Sequence, residues 1–169
     1  RGLGDVYKRQ MKILLVNKYF NMHGGSETYF FGLADLLRQA GHEVIFFAMQ
    51  DEKNLPCEQS AYFVSNVEFN GELTAAQKLK AAFRMVYSFE AKKKISALIE
   101  KEKPDIIHIN LFHRVLTASI VDAAKKHGIP VVFTMHDLNC VCPNHVMLDH
   151  GKICEACLRG NYWNCVKRV

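Results

Sequence analysis

No apolar run reaches the roughly 18 to 20 residues that a membrane-crossing helix needs, so the sequence holds no such span. No internal repeat or low-complexity tract stands out either, and 49% of the residues are apolar, which sets aside disordered and fibrous classes. The charge bias is small. Of a net charge of +5, Arg1, Lys8 and Arg9 against Asp5 supply two within the first ten residues, leaving +3, too mild for a nucleic-acid footprint. Neither G-x-G-x-x-G nor G-x-x-x-x-G-K-[ST] occurs, so a dinucleotide fingerprint and a P-loop are unsupported.

The opening stretch RGLGDVYKRQ has no apolar signal core and precedes Met11, where MKILLVN reads as a natural start. Residues 1–10 are therefore read as a non-native or read-through leader outside the fold. Six cysteines in a sequence without an export signal point to a reducing, cytoplasmic setting and to metal binding before disulfides.

What is present suits one domain: 169 residues with enough apolar content for a core. Lys12 to Val16 (KILLV) is a short continuous apolar run, as in a strand covered on both faces. Ser26 stands as the expected N-cap of a helix carrying Tyr29, Phe30, Leu33, Leu36, Leu37 and Ala40 at helical spacing, with Gly41 as its stop. Val44 to Met49 reads as a second strand and Ala61 to Phe69 as a third. Leu73 to Lys103 reads as one charged helical stretch ended by Pro104, with Lys92 to Lys94 on a solvated face. Asp105 to Ile109 is a fourth strand, Leu116 to His127 a helix closed by Gly128, and Val131 to Met135 a fifth strand. The alternation predicts an α/β fold, a doubly wound parallel sheet of Rossmann-like type with strand order 3-2-1-4-5.

In such sheets ligands bind beyond the carboxyl ends of the strands, where strand order reverses. Three loops at that edge hold His23-Gly24-Gly25-Ser26-Glu27, then His108 and Asn110 to His113, then His136-Asp137. Two glycines opening a helix let a ligand approach backbone N–H groups at the positive end of the helix dipole, which suits an anion such as phosphate. A tight turn is the plainer explanation of the same pair. His136 reads either as a satisfied strand-end histidine or as a functional group, His108 as a rim-packing residue within DIIHI, and His113 as a surface residue before the next helix.

Three segments, MKILLVNKYFNMHGGSE, PDIIHIN and FTMHDLNCVCPN, resemble the N-terminal domain of the family 4 retaining glycosyltransferases, which have the GT-B fold. The likeness runs over nearly all of residues 11–169. It implies a partial N-terminal, acceptor-binding domain with a Cys-rich insert over 140–165, and a donor-binding C-terminal domain whose Glu-containing motif has no counterpart here. The family's glycine turn maps to Gly24 and Gly25, and its strand-end histidine to His136, expected to be catalytic and to touch the donor sugar near its reacting carbon. Ser26, Glu27, His108, Asn110 and Asp137 are the accompanying candidates for binding the donor diphosphate or the acceptor. The implied partners are a nucleotide-sugar donor and a sugar or lipid-linked acceptor, with no cofactor required for the chemistry. The basic-apolar stretch Lys78 to Lys94 fits either a peripheral contact with the inner membrane or a packed helix.

Five of the six cysteines fall between Cys140 and Cys165. Cys154 and Cys157 form a C-x-x-C pair, and Cys142 and Cys165 complete a set of four thiolates suited to structural zinc. An iron–sulfur cluster, a set that admits Cys140, His145 or His150, and reduced thiols packed as small apolar groups remain open. Two further classes stand beside the enzyme: a non-catalytic module that binds a phosphorylated ligand, and a zinc-stapled interaction domain.

Overall fold

The computed structural model describes residues 10–66, 74–142, 144–157, 160 and 163–166. The chain divides into two compact units, Arg1–Thr134 and Met135–Val169.

The first unit is built on β1 (Lys12–Val16), α1 (Gly25–Gln39), β2 (Glu43–Phe47), α2 (Ala75–Val86), α3 (Phe89–Glu102), β3 (Ile106–Ile109), α4 (Ser119–Lys126) and β4 (Val131–Phe133). Its sheet is parallel, in the order β2-β1-β3-β4. Strand β1 lies at the centre because its side chains are apolar on both faces. Leu14 and Val16 join Ile107 and Ile109 of β3 in a cluster with Ile95, Leu98 and Ile99 of α3 and Ile120, Ala123 and Ala124 of α4. Ile13 and Leu15 face the other way, onto Phe30 and Ala34 of α1. Alternation along one strand thus feeds two cores, as a doubly wound sheet requires.

Helix α1 begins at Gly25 with Gly24 as its N-cap, two residues before the expected Ser26 cap. Ser26 Oγ instead donates to Glu27 Oε2 at 3.0 Å. The buried face of α1 is Glu27, Phe30 and Ala34, while Tyr29 and Leu36 point outward. Gly41 follows the helix with φ +88°, the left-handed conformation that glycine tolerates best.

The expected third strand, Ala61 to Phe69, does not form as such. A 3-10 helix covers Glu58–Tyr62, and Val64 makes a single parallel bridge to Met49. Gln50 N donates to Val64 O at 2.7 Å and Val64 N to Ala48 O at 2.9 Å, after which the ladder stops. The next residue's groups are taken elsewhere: Glu90 Oε1 accepts from Ser65 N at 2.9 Å, and Arg84 Nη2 donates to Ser65 O at 2.9 Å. Residues 67–69 of that expected strand lie outside the described residues.

The expected single helix over Leu73 to Lys103 is broken at Tyr87 and Ser88 into α2 and α3. Ser88 Oγ accepts from Ala91 N at 3.1 Å and starts α3 as an N-cap. The lysine run is only partly a solvated face. Lys94 Nζ donates to Phe63 O at 2.5 Å and Lys92 Nζ to the Tyr87 hydroxyl at 2.8 Å, while Lys93 is exposed. Among the described residues no helix is long and apolar enough to cross a membrane.

The second unit contains a small antiparallel hairpin, β5 (Leu148–Asp149) with β6 (Lys152–Ile153), and a short helix α5 (Trp163–Val166). The hairpin turns through His150 and Gly151, both with positive φ.

Candidate functional site

At the carboxyl edge of the first unit's sheet, strand order reverses between β1 and β3. The chain there leaves the apolar core through polar residues: Asn17 after β1, Asn110 after β3 and Thr134 after β4. Their backbones extend the ladder by one step. Asn17 N donates to Phe47 O at 3.2 Å, Asn110 N to Val16 O at 2.8 Å and Thr134 N to Ile109 O at 2.9 Å. Side chains at this edge are therefore placed by the sheet and do not depend on loop conformation.

Asn17 was not among the residues singled out from sequence, yet it organises the turn. It is fully buried, and its Nδ2 donates to Tyr19 O at 2.9 Å and to Glu27 Oε1 at 3.0 Å. Two acceptors on Nδ2 fix the amide's orientation. Asn17 Oδ1 is buried and has no hydrogen-bond partner among the described residues. The signal that could have found it is a strong hydrogen-bonding side chain directly after the apolar run KILLV.

Glu27 is 2% exposed. Its carboxylate accepts from Asn17 on one oxygen and from Ser26 on the other. A carboxylate in the first turn of α1 also lies favourably at the positive end of the helix dipole. Glu27 and Ser26 thus form the inner wall of the turn.

Gly24 has φ −169° and ψ −162°, extended backbone open to any residue. A Cβ on Gly24 would meet Glu27 Oε2 at 3.6 Å, an ordinary contact, and a Cβ on Gly25 would meet nothing within 4 Å. Neither backbone strain nor internal packing requires either glycine. No side chain caps α1, so its first N–H groups, which have no acceptor within the helix, are available to a ligand. Outside the turn, His23 stacks on Tyr19 with ring centroids 4.3 Å apart.

His108 Nε2 lies 2.8 Å from Thr134 Oγ1, joining β3 to the end of β4. Asn110 is 1% exposed, and His113 packs beside Phe112 at 4.3 Å between ring centroids. A groove of about 900 Å³ follows β2, lined among others by Asp51, Asn54, Ser60 and Ser65. It adjoins the β1–α1 loop, because Leu55 N donates to Phe20 O at 2.9 Å.

In the second unit His136 is exposed. Asp137 accepts from Asn139 N at 2.9 Å and from Asn139 Nδ2 at 2.5 Å, an Asx-type turn. That turn leads into Leu138, whose carbonyl accepts from Val141 N at 3.0 Å and from Cys142 N at 2.8 Å. All cysteines are free thiols. Among the described residues no three His, Cys, Asp or Glu side chains are gathered to hold a metal ion as they stand.

No curated protein matches the chain. Two solved structures bear a distant likeness. The C-terminal domain of a hydrogenase from Pyrococcus furiosus is 17% identical with a TM-score of 0.45, over 79% of this chain and 100% of that one. An alpha-glucosyltransferase solved with UDP and a 13-mer DNA is 16% identical with a TM-score of 0.42, over 82% of this chain and 34% of that one. Likeness at that level carries nothing about activity. The model of Glycosyltransferase Family 4, in contrast, matches residues 23–151, from the glycine turn through β3 and β4 to the hairpin. The chain belongs to Glycosyltransferase Family 4.

Proposed function

We propose that these residues are the acceptor-binding half of a retaining glycosyltransferase, which moves a sugar from a nucleotide-sugar donor to a glycan or lipid-linked acceptor. Family membership supports sugar transfer in general. The observation that carries the finer reading is Gly25, a glycine at the uncapped start of α1 whose missing Cβ leaves open space. A ligand that needs close approach to backbone N–H groups explains it where the fold does not.

In this reading the amides of the first turn of α1 meet the leaving diphosphate. The acceptor hydroxyl attacks the anomeric carbon on the face from which the diphosphate departs, through an oxocarbenium-like state. The bond from that carbon to the diphosphate oxygen breaks, the bond to the acceptor oxygen forms, and the acceptor proton passes to the departing diphosphate. Fixed donors aimed at that growing negative charge need no reorganisation as it develops. Asn17 and Ser26 each occupy one oxygen of the buried Glu27 carboxyl, which serves as the positioning residue of the turn. The groove after β2, with Asp51, Asn54, Ser60 and Ser65 in its lining, suits acceptor hydroxyls. His136 is assigned to the donor sugar by the family resemblance, and its exposure is compatible with that role.

A second, donor-binding half completes the enzyme, so these residues alone are expected to show no turnover. The test is a panel of nucleotide-sugar donors and acceptors on the full-length protein, followed by the Gly25→Val and His136→Ala variants. Transfer with retained anomeric configuration that falls at least about 100-fold in each variant supports the reading, on the scale of losing a transition-state contact. Inverted product, or full activity in both variants, overturns it.

A further inference from the structure

Helix α2 turns its side chains the opposite way from a helix packed on a core. Ala81 and Arg84 are half-buried, whereas Phe83, Met85 and Val86 are exposed. The inward arginine is held in place: Arg84 Nη2 donates to Ser65 O at 2.9 Å and pairs with Glu90 Oε2 at 2.6 Å. At the start of α3, Phe89 points outward as well. Phe83, Val86 and Phe89 are 68%, 77% and 78% exposed.

This ridge is fixed by the fold. The Tyr87 hydroxyl donates to Asp122 Oδ2 at 2.7 Å, tying the junction of α2 and α3 to α4, and the Tyr87 and Phe89 rings meet edge to face with centroids 5.0 Å apart. Single exposed apolar residues are ordinary, but a clustered set held rigidly in water marks a contact surface.

Charge decides what that surface meets. Over residues 74–94 the single acid is Glu90, against Lys78, Lys80, Arg84, Lys92, Lys93 and Lys94, an excess equal to the whole chain's net charge of +5. Arg84 and Lys94 share Glu90, and Asp122 lies 3.9 Å from Lys92, while Lys93 is exposed. On α4, Lys125, one turn beyond Asp122, is exposed too. A second copy would set two such basic stretches against each other, so an anionic partner fits the surface better.

We propose that the junction of α2 and α3 is a membrane-docking surface, which lays Phe83, Val86 and Phe89 into the interface of an anionic phospholipid bilayer. Apolar side chains there enter the boundary between headgroups and acyl chains, while basic side chains reach the lipid phosphates. Each Lys or Arg near such a surface adds to the attraction, which falls off within a Debye length. Contact of this kind is peripheral and needs no helix that crosses the bilayer. It is compatible with a lipid-linked acceptor but does not depend on sugar transfer.

The test is sedimentation of the full-length protein with vesicles of phosphatidylcholine alone or with about 30% phosphatidylglycerol, without donor or acceptor. Binding to the anionic vesicles should be at least about tenfold stronger, and should weaken at least about fivefold between about 0.1 and 0.5 M salt. A Phe83→Ser, Phe89→Ser double variant should lose at least about tenfold in binding at an unchanged thermal midpoint, because neither ring is covered in the fold. Lys93→Glu should weaken binding at least about twofold, whereas Leu36→Ser, at an exposed position of α1, should bind as the unaltered protein does. Brominated acyl chains should quench the fluorescence of a Phe89→Trp variant beyond that of Trp163, a readout that stands if the double variant fails to fold. Full binding by the double variant, equal binding to both vesicle types, no added quenching, or a double variant whose only change is from dimer to monomer overturns the proposal.

Discussion

Asn17 Nδ2 donates to Glu27 Oε1 at 3.0 Å, joining the residue that leaves β1 to the first turn of α1 across a fully buried contact. The turn between them, with its glycine pair, is thereby clamped at both ends. Glu27→Ala leaves the Asn17 donor without this acceptor in a dry site and should lower unfolding free energy by about 1–3 kcal/mol. Glu27→Gln, which can still accept from Asn17, should recover more than half of the loss. Urea unfolding of the three proteins checks this, and equal losses for Ala and Gln would contradict a hydrogen-bonding role.

Gly25→Val should leave the fold intact. A Cβ there meets nothing within 4 Å, and helix propensity alone changes by less than about 1 kcal/mol. The thermal midpoint and far-ultraviolet dichroism should match those of the unaltered chain. A large drop in midpoint would mean that the glycine serves the turn itself.

Glu90 joins α3 to the end of the irregular Val64 segment, accepting from Ser65 and pairing with Arg84 Nη2 at 2.6 Å and Lys94 Nζ at 3.1 Å. Burial by itself would push its carboxyl up, but the Ser65 hydrogen bonds, Lys94 and Arg84 outweigh this and hold it below the ordinary 4.5. A carboxylate lowered in the folded state contributes stability above its unfolded value and loses that contribution as pH falls through the folded one. Stability should therefore decline below about pH 4.5, and Glu90→Gln should flatten that decline while costing stability at pH 7. Urea midpoints measured from pH 7 to pH 3 test both parts.

Ser88 caps α3 and anchors it to Thr117 before α4 and to Ser119 at its start. Its N–H donates to Thr117 Oγ1 at 3.0 Å, and its carbonyl accepts from Ser119 Oγ at 2.8 Å. Ser88→Ala removes only the cap and should cost about 1 kcal/mol. Ser119→Ala should cost a comparable amount by leaving the buried Ser88 carbonyl without that donor. Chemical denaturation of each single variant and the pair measures these losses and any coupling between them.

The parts of this fold legible in sequence are those written in local pattern. Continuous apolar runs marked β1, β2, β3 and β4, and Gly41 and Gly128 marked the ends of α1 and α4. The parts that escaped depend on partners far along the chain. Nothing near Ser65 tells that Glu90 and Arg84 will take its backbone groups and end a third strand after one bridge. Nothing near Ser88 tells that Thr117 and Ser119 will break a long helix there. The site shows the same division. The glycine turn is visible as a motif, whereas the tie between Asn17 and Glu27 exists only once β1 and α1 are brought together.

The proposal that the first turn of α1 receives a nucleotide-sugar's diphosphate turns on the open space at Gly25. Transfer kinetics of full-length Gly25→Val against the unaltered enzyme test it most directly, with folding verified on the same samples. An unchanged thermal midpoint and a fall of at least about 100-fold in kcat/KM, from the loss of oxyanion-type contacts, are expected. Unchanged kcat/KM in a folded Gly25→Val protein would contradict it.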